Sequence, residues 1–418
     1  MQSKLISWAF LIITIISAYL ISIIEDYNVY FLSFLLLNIG FAVYYSKKID
    51  STVLNIARVL IGVLFIYSGI VKGVDPLGTQ FRIEDYFFAY GIGWAAPMAL
   101  ILSVILNAVE FSMGALLLLR IKMKYVSILS LLMMLMFTIT TLYDALYSPV
   151  PDCGCFGDAL IISNWQTFYK NLVINAFVIA VFLRRNSFKE YTSKVIEYSG
   201  LIGVVIGFLL FESYNINNLP MMDFRSWKVD YRLLPENPQP VKYFLTYKHK
   251  KTGEEKEYLS KELPWQDSVF MADWTWASSR EIDPNISDMN TFPMLSPQGE
   301  DMSKDIVGYE GYTFIFVIYS VDKVKPEAAE YIKGFVNIAM RNGLRTVVLS
   351  SDLPTEFREF ITKYGIAEVK VYNSDDTALK AAIRSNPGLI IVKSGKVVEK
   401  YHYSKFPDYK TVIKNYKK

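Results

Sequence analysis

The chain of 418 residues is 52% hydrophobic and 15% aromatic, which is too apolar for an ordinary soluble protein of this length and indicates a membrane protein. Its formal net charge of +3 is scattered without a basic stripe, so no nucleic-acid partner is predicted. Its two cysteines are too few for a disulfide framework.

Long apolar runs fill roughly the first half of the chain, and each is near the length that crosses a bilayer core. The hydropathy pattern predicts seven transmembrane spans, at residues 5–24, 28–46, 53–74, 96–119, 124–146, 167–184 and 195–213. The first run is too long for a signal peptide and lacks a small-residue cleavage site, so we predict that it is retained as an anchor.

The short connections that carry lysine and arginine all fall on one side of a seven-span protein. They contain Lys47 and Lys48, then Arg120, Lys122 and Lys124, then Arg184, Arg185, Lys189 and Lys194. The positive-inside rule makes that side cytoplasmic, with the N-terminus. The loops at about 25–27, 75–95 and 147–166, and everything after the seventh span, are then predicted to face the periplasm of a bacterial inner membrane.

Both cysteines lie in one predicted outward loop, Pro151–Asp158. Cys153 and Cys155 can close a small, strained disulfide ring, and strained or exposed disulfides are the more oxidising and labile ones. We therefore predict that this pair is the catalytic redox site, although a structural disulfide that pins the turn remains an alternative. The neighbouring Asp152 and Asp158 are expected to raise the pKa values of the thiols.

No metal site is predicted. Zinc and iron–sulfur sites normally need four soft or imidazole ligands, and the only histidines, His249 and His402, lie far along the chain from the cysteines.

Two predicted spans contain residues with a candidate functional or packing role. Glu110 in the fourth span is a candidate functional residue because a carboxylate at that depth is expensive, and an ion-pair partner on a neighbouring helix is the structural alternative. The third span has small residues at Gly62, Ser68 and Gly69, which allow close helix packing.

These residues resemble the DoxX-like membrane proteins and their MauE branch, which is associated with methylamine dehydrogenase maturation. The resemblance covers about residues 53–185 and rests on Arg58, Gly62, Phe65, Ser68, Gly69, Lys72, Glu110, Gly114 and the Cys-Gly-Cys-Phe-Gly loop. It implies a four-helix membrane module linked to thiol redox or quinone-coupled chemistry. Glu110 and Arg58 are then the candidate cofactor-binding residues, and a quinone is the candidate electron acceptor.

The chain after about residue 214 is polar. Residues 227–259 alternate as a β-hairpin, and the stretch from there to about 300 is rich in Pro, Asp and Asn and is predicted to be mostly loop. The last hundred residues alternate strands and helices, which predicts a compact α/β layer. The predicted strands are 313–320, 345–350, 368–372, 389–393 and 396–401, and the predicted helices are 326–341, 355–363 and 375–384.

This order resembles the thioredoxin fold over about residues 283–418. The family has a cis proline before its fourth core strand, lining a peptide-binding groove, and Pro387 is the matching position. The Cys-x-x-Cys of the family is replaced here by Tyr319–Lys325, which contains no cysteine. The resemblance therefore implies a groove that binds a protein partner without dithiol chemistry.

The predicted fold is a membrane α-helical bundle followed by an α/β thioredoxin-like periplasmic domain. The predicted divisions are two transmembrane helices at 1–50, a DoxX/MauE-like module at 51–194, a seventh helix and membrane exit at 195–220, a β-rich or irregular segment at 221–300, and a degenerate thioredoxin-like domain at 301–418. The predicted function is thiol/disulfide or quinone-linked electron transfer through Cys153 and Cys155, with a partner bound by the last domain. A non-catalytic scaffold or assembly subunit of a cell-envelope complex is the alternative.

Overall fold

The computed structural model describes residues 2–150, 152–188, 193–237, 239–262, 264–282 and 292–416. The chain forms two compact units, Met1–Phe224 and Arg225–Lys418. Three predictions extend outside the described residues: Pro151 of the cysteine loop, Lys189 of the third basic connection, and residues 283–291 at the start of the thioredoxin-like segment.

The first unit is helical. In chain order its helices are α1 (Gln2–Ile21), α2 (Val29–Tyr44), α3 (Ser51–Val74), α4 (Pro76–Ala89), α5 (Ala99–Leu119), α6 (Met123–Tyr147), α7 (Asn164–Leu183) and α8 (Lys194–Asn217). Of these, α1, α3, α5 with its preceding turn, α6, α7 and α8 are long and apolar enough to cross a membrane. The chain is therefore a multi-pass membrane protein, as predicted.

Helix α2 corresponds to the second predicted span but has only 16 residues, or about 24 Å at 1.5 Å per residue. The contacts at its two ends show that it runs antiparallel to α1. Before α2, the Asn28 backbone N–H donates to Tyr169 Oη at 2.8 Å, and after it the Asp50 N–H donates to Ser7 Oγ of α1 at 2.8 Å. The chain thus returns to the level of the α1 N-terminus before α3 begins.

The segment predicted as an outward loop at 75–95 instead contains α4. Asp75 caps this helix by accepting a hydrogen bond from the Gly78 N–H at 3.0 Å, and Pro76 occupies the first turn, where its missing N–H costs nothing. The prediction was wrong because α4 is short and polar, so hydropathy does not detect it.

Helices α3 and α5 pack at backbone contact through small residues. A Cβ atom added at Gly114 would lie 2.6 Å from the Gly62 carbonyl oxygen, and one added at Gly69 would lie 2.8 Å from the Phe111 backbone nitrogen. This is the close approach that small residues permit between membrane helices. It brings polar side chains of the two helices into direct contact.

The second unit begins with a three-stranded antiparallel sheet of β1 (Lys242–His249), β2 (Glu255–Leu259) and β3 (Trp274–Ile282), in the order β2-β1-β3. The predicted hairpin is confirmed as β1 and β2. The stretch from about 260 to 300, which was predicted to be mostly loop, contains the short helix α9 (Ser268–Asp273) and β3. Trp274 of β3 is buried against the Phe270 ring of α9, with centroids 5.5 Å apart.

The rest of the second unit is an α/β layer. Its elements are α10 (Ser303–Val307), β4 (Tyr312–Ile318), α11 (Pro326–Asn342), β5 (Arg345–Ser350), α12 (Pro354–Tyr364), β6 (Lys370–Asn373), α13 (Asp376–Ala382), β7 (Gly388–Lys393), β8 (Lys396–His402) and α14 (Tyr409–Tyr416). The sheet order is β6-β5-β4-β7-β8, with β4, β5 and β6 parallel and β7 antiparallel to β4 and to β8.

A βαβ unit followed by an antiparallel hairpin on the other side of the first strand is the thioredoxin-like arrangement, as predicted. The central strand β4 is buried from Thr313 to Ile318, and its Phe314 and Phe316 belong to one core cluster with α11, α12 and α14. The Asn386–Pro387 peptide bond, just before β7, is cis at the position that the resemblance identified.

Candidate functional site

A cavity of about 220 Å³ lies beside the cysteine loop in the first unit. Its walls come from the C-terminal end of α3, from α4, α5 and α6, and from the loop between α6 and α7. The residues that line it include Lys72, Arg82, Tyr86, Leu106, Phe137, Cys153 and Cys155.

The two cysteines are adjacent in this wall. Their Sγ atoms lie 2.7 Å apart, both side chains are partly exposed, and both are free thiols in this structure. Gly154 between them has φ +62°, a left-handed conformation that glycine adopts without strain, and its N–H donates to Asp152 Oδ1 at 2.9 Å. This tight turn brings both sulfur atoms to the same side of the loop.

A buried ion pair lies directly beneath the loop. Lys72 of α3 pairs with Glu110 of α5, and their side chains are 5% and 2% exposed. The Ser68 hydroxyl lies 3.1 Å from Glu110 Oε2 and 2.9 Å from the Cys155 carbonyl oxygen, so it links the pair to the cysteine loop. Glu110, a candidate functional residue from the sequence, is therefore connected to Cys155 through a single residue, Ser68.

The surroundings of the two thiols shift their pKa values in opposite directions. The hydrogen bond from Cys153 lowers the pKa of Cys155, with the cations of Lys170 and Lys72 acting in the same direction against burial and Glu110. The same sulfur–sulfur contact, together with burial, raises the pKa of Cys153. Cys155 is thus the more readily ionised thiol of the two, and Cys153 donates a hydrogen bond to it.

The prediction that the flanking aspartates raise the pKa values of both thiols was wrong for Cys155. Asp152 is instead neutralised by Arg82 of α4, whose Nη2 lies 2.8 Å from Asp152 Oδ2. Lys170 of α7 lies with its Nζ 4.4 Å from the centre of the Phe156 ring, next to the pair. The lowered pKa of Cys155 therefore comes first from the Cys153 hydrogen bond and then from the cations of two separate helices, Lys170 and Lys72.

One more polar contact borders the cavity. The Tyr86 hydroxyl of α4 donates to Asp144 Oδ2 of α6 at 2.6 Å, and Asp144 is fully buried. Asp144, Arg82 and Lys170 were not identified from the sequence. These residues could have been found from their positions inside or next to apolar helices, because charged residues there normally pair with one another.

Arg58 does not join this site. It lies ten residues before Ser68 on α3, or about 15 Å along the helix axis. There its guanidinium donates to the carbonyl oxygens of Leu117 and Leu118 at the C-terminal end of α5. Its position next to a helix C-terminus, where cations are stabilising, accounts for it structurally.

In the second unit the residue before Pro387 is hydrogen-bonded to the chain that follows β4. Asn386 Oδ1 accepts from the Tyr319 N–H at 3.0 Å, and Asn386 Nδ2 donates to the Ser320 carbonyl at 2.7 Å. The Val321 N–H donates to Asp352 Oδ2 at 3.0 Å. This is the strand-to-helix junction at which thioredoxin-like oxidoreductases carry their dithiol.

No group of three or more His, Cys, Asp or Glu side chains suited to a metal ion occurs in the part of the chain that the structure describes.

Comparison with known proteins gives one family match. The family model described as "Methylamine utilisation protein MauE" matches residues 50–184, so the chain is similar to that family over less than half of its length. The matched segment contains α3 to α7 and the cysteine loop. A search of the curated proteins gives no match.

Among solved structures, the chain is similar to a peroxiredoxin-like protein from Aquifex aeolicus at 16% identity. The similarity covers 45% of this chain and 91% of that one, with a TM-score of 0.22. The thioredoxin-like assignment rests on the strand order of the second unit and not on this likeness.

Proposed function

We propose that this chain is a membrane thiol/disulfide oxidoreductase in which Cys153 and Cys155 are the catalytic pair. The observation that carries the proposal is the placement of both sulfur atoms in the wall of a cavity, above the buried Lys72–Glu110 pair. A structural staple would need neither a cavity nor a cation beside the sulfur. The similarity of residues 50–184 to the MauE family supports a redox-associated role.

Each residue has a distinct role in this mechanism. Cys155, as the thiolate, attacks the sulfur of a partner disulfide, forms a mixed disulfide and releases one partner thiolate. Cys153 then gives its proton to the released partner thiolate and attacks the Cys155 sulfur, which breaks the mixed disulfide and releases the second partner thiolate. The partner gains two electrons and the Cys153–Cys155 pair loses two, and the same steps in reverse oxidise a partner dithiol.

Lys72 and Lys170 stabilise the negative charge on Cys155, and Glu110 holds Lys72 in place. Ser68 fixes the Cys155 backbone through the carbonyl oxygen. Lys72, Glu110 and Ser68 are thus positioning residues, and none of them needs to exchange electrons.

The cavity also fits the head group of a quinone. Its volume of about 220 Å³ exceeds the roughly 150 Å³ that accommodates a benzene ring. Leu106 and Phe137 give it apolar walls, while Arg82 and Tyr86 provide polar groups at its edge. A quinone held there would supply a two-electron, two-proton acceptor for closure of the Cys153–Cys155 disulfide. One proton would come from the Cys153 thiol and the other from solvent, because Cys155 is already a thiolate.

We further propose that the cysteine loop faces the periplasm and that the N-terminus is cytoplasmic. The connections richest in Lys and Arg meet at one end of the bundle, where Arg184 donates to the carbonyl oxygens of Ser46 and Lys47. Helix α8 ends at the opposite end, where Asn215 Nδ2 donates to the Gly73 carbonyl at 3.1 Å. The chain therefore leaves the bundle on the side of the cysteines.

In this proposal the thioredoxin-like unit binds a partner protein and does not exchange thiols, because it contains no cysteine. Pro387 would line the binding groove. A scaffold role for the whole chain is the competing function, and the loss of the thioredoxin dithiol is the observation that favours it.

The test uses the purified full chain, reduced, in lipid nanodiscs, and counts free thiols by mass-shift labelling. A soluble quinone or a small-molecule disulfide should convert both thiols to one disulfide, and Cys153→Ser or Cys155→Ser should abolish this conversion. If neither oxidant changes the thiol count of the wild-type chain, the redox function is wrong and the scaffold role stands.

Two adjacent residues of α5 provide a matched pair for the cavity. Leu106 lines it, whereas Ile105 is 53% exposed on the outer surface of the helix. Leu106→Trp should slow oxidation by quinone at least several-fold, and Ile105→Trp should leave it unchanged. Equal rates in the two variants would show that the quinone does not react through this cavity.

A further inference from the structure

A second buried polar pair lies between α5 and α8, separate from the cysteine site. Asn107 Nδ2 of α5 donates to Glu212 Oε1 of α8 at 3.0 Å, and both side chains are fully buried. Helix α8 lies beyond the segment that matches the MauE family. The proposed redox mechanism uses neither residue.

Each member of this pair has one oxygen without a partner. Glu212 Oε2 and Asn107 Oδ1 are both buried and accept no hydrogen bond. An ionised carboxylate would leave both oxygens in that state, because neither can donate to the other. A proton on Glu212 Oε2 can be donated to Asn107 Oδ1, which gives two parallel hydrogen bonds and provides both atoms with a partner.

The charged groups on the packed helices do not compensate an ionised Glu212. Helix α8 packs against α5, α3 and α4. On α3 and α5, Lys72 pairs with Glu110. On α4, Arg82 pairs with Asp152 and Asp85, and Glu84 accepts a hydrogen bond from Gln80. On α8 itself, Glu197 pairs with Lys122. Glu212 forms no ion pair in the part of the chain that the structure describes, and burial of an unpaired carboxylate is strongly unfavourable.

We propose that Glu212 and Asn107 form a proton-binding site in which Glu212 is a neutral carboxylic acid at neutral pH. A metal cation is a poorer ligand for this site, because the pair offers two unpartnered side-chain oxygens and Ca²⁺ or Mg²⁺ takes at least six oxygen ligands. The bound proton would add a second hydrogen bond between α5 and α8, beside the one from Asn107 Nδ2 to Glu212 Oε1.

The site lies one helical turn from the redox site. Asn107 and Glu110 are three residues apart on α5, with Asn107 directed to α8 and Glu110 to α3. Phe208 of α8 stacks on Phe111 at a centroid distance of 4.4 Å and closes the same interface with apolar surface. This enclosure keeps water from solvating a charge at Glu212.

The test is infrared spectroscopy of the full chain in nanodiscs at neutral pH, in the carbonyl-stretch region of protonated carboxylic acids. The wild-type chain should show such a band with the expected deuterium shift, and Glu212→Gln should lose it. Gln is close to isosteric with the acid, and its amide N–H can donate to Asn107 Oδ1, so this variant should keep its fold.

Glu197→Gln is the matched control. Glu197 is also a buried carboxyl of α8, but it pairs with Lys122 Nζ at 2.6 Å and should be ionised. This variant should therefore retain the full band. A wild-type spectrum without the band, or a band of equal size in wild type and Glu212→Gln, would overturn the proposal.

A measurement on the wild-type chain alone covers the case in which Glu212→Gln does not fold. With glutamate labelled by ¹³C at the side-chain carboxyl, the wild-type chain should show one glutamate in the acid form at neutral pH. A spectrum in which every glutamate is ionised would refute the proposal, whatever the redox activity of the cysteines.

Discussion

The buried Lys72–Glu110 pair should tolerate removal of both charges far better than removal of one. Replacing Lys72 by Met leaves the Glu110 carboxylate, 2% exposed, without its cation. Breaking a buried pair in this way typically costs about 3–5 kcal/mol. We therefore expect Lys72→Met to lower the free energy of unfolding by an amount in that range.

The double variant Lys72→Met/Glu110→Met should recover most of that loss. Replacing both members of a buried pair by apolar side chains of similar volume is often close to neutral. The Ser68 hydroxyl keeps a partner in the double variant, because it can still donate to the Cys155 carbonyl oxygen. The two substitutions are thus expected to be strongly non-additive.

The assay is denaturant unfolding of the purified chain in detergent micelles, followed by tryptophan fluorescence, for wild type, the two single variants and the double variant. Lys248→Met is the control, because its partner Glu255 lies 3.6 Å away and both side chains are more than half exposed. That variant should cost less than about 1 kcal/mol. If the double variant loses as much free energy of unfolding as the two single variants together, Lys72 and Glu110 do not stabilise the fold as a pair.

Three further predictions follow from the packing, the thiols and the second unit. Gly114→Ala should destabilise the bundle by about 1–3 kcal/mol, because its new Cβ would lie 2.6 Å from the Gly62 carbonyl, whereas Gly203→Ala has open space and should be close to neutral in the same unfolding assay. Because the pKa of Cys155 is lowered, its alkylation should reach half-maximal rate below the ordinary cysteine value of about 8.5, and Cys153→Ala should move that midpoint upward; an unchanged midpoint would contradict the role of Cys153 as the hydrogen-bond donor. Asn386→Ala should cost about 1–3 kcal/mol, because it leaves the Tyr319 N–H without the acceptor Asn386 Oδ1, and amide hydrogen exchange at Tyr319 should accelerate while that at Val348 in β5 stays slow; unchanged exchange at Tyr319 would contradict this.

The apolar and periodic parts of the fold were predictable from the sequence. Strands such as β4 and β7 are continuous apolar runs, and their burial follows from composition alone. Helix α4 and strand β3 were missed because α4 is short and polar, and β3 carries exposed polar residues along most of its length. Such elements are specified by capping and strand pairing, which a hydropathy pattern does not report.

The candidate site was predictable only in part. Cys153, Cys155 and Glu110 stand out in the sequence because thiols are scarce and a carboxylate in a membrane is expensive. That Glu110 and not Arg58 reaches the cysteines depends on which end of α3 faces the loop. Arg82 and Lys170 are at least fifteen residues from the nearest cysteine in sequence, so their effect on the cysteine loop appears only when the helices pack.

The cysteine turn is attached to two different helices, and this affects how the sulfur atoms can move. Its Cys155 end is fixed to α3 through Ser68, and its Asp152 end is fixed to α4 through Arg82. Helices α3 and α4 meet at Asp75, so rotation about that single residue would change the spacing between the two attachment points. Conversely, closure of a disulfide would lock α4 at one angle to α3. In the proposed redox cycle, the oxidation state of the loop would therefore act on the width of the cavity that α4 borders.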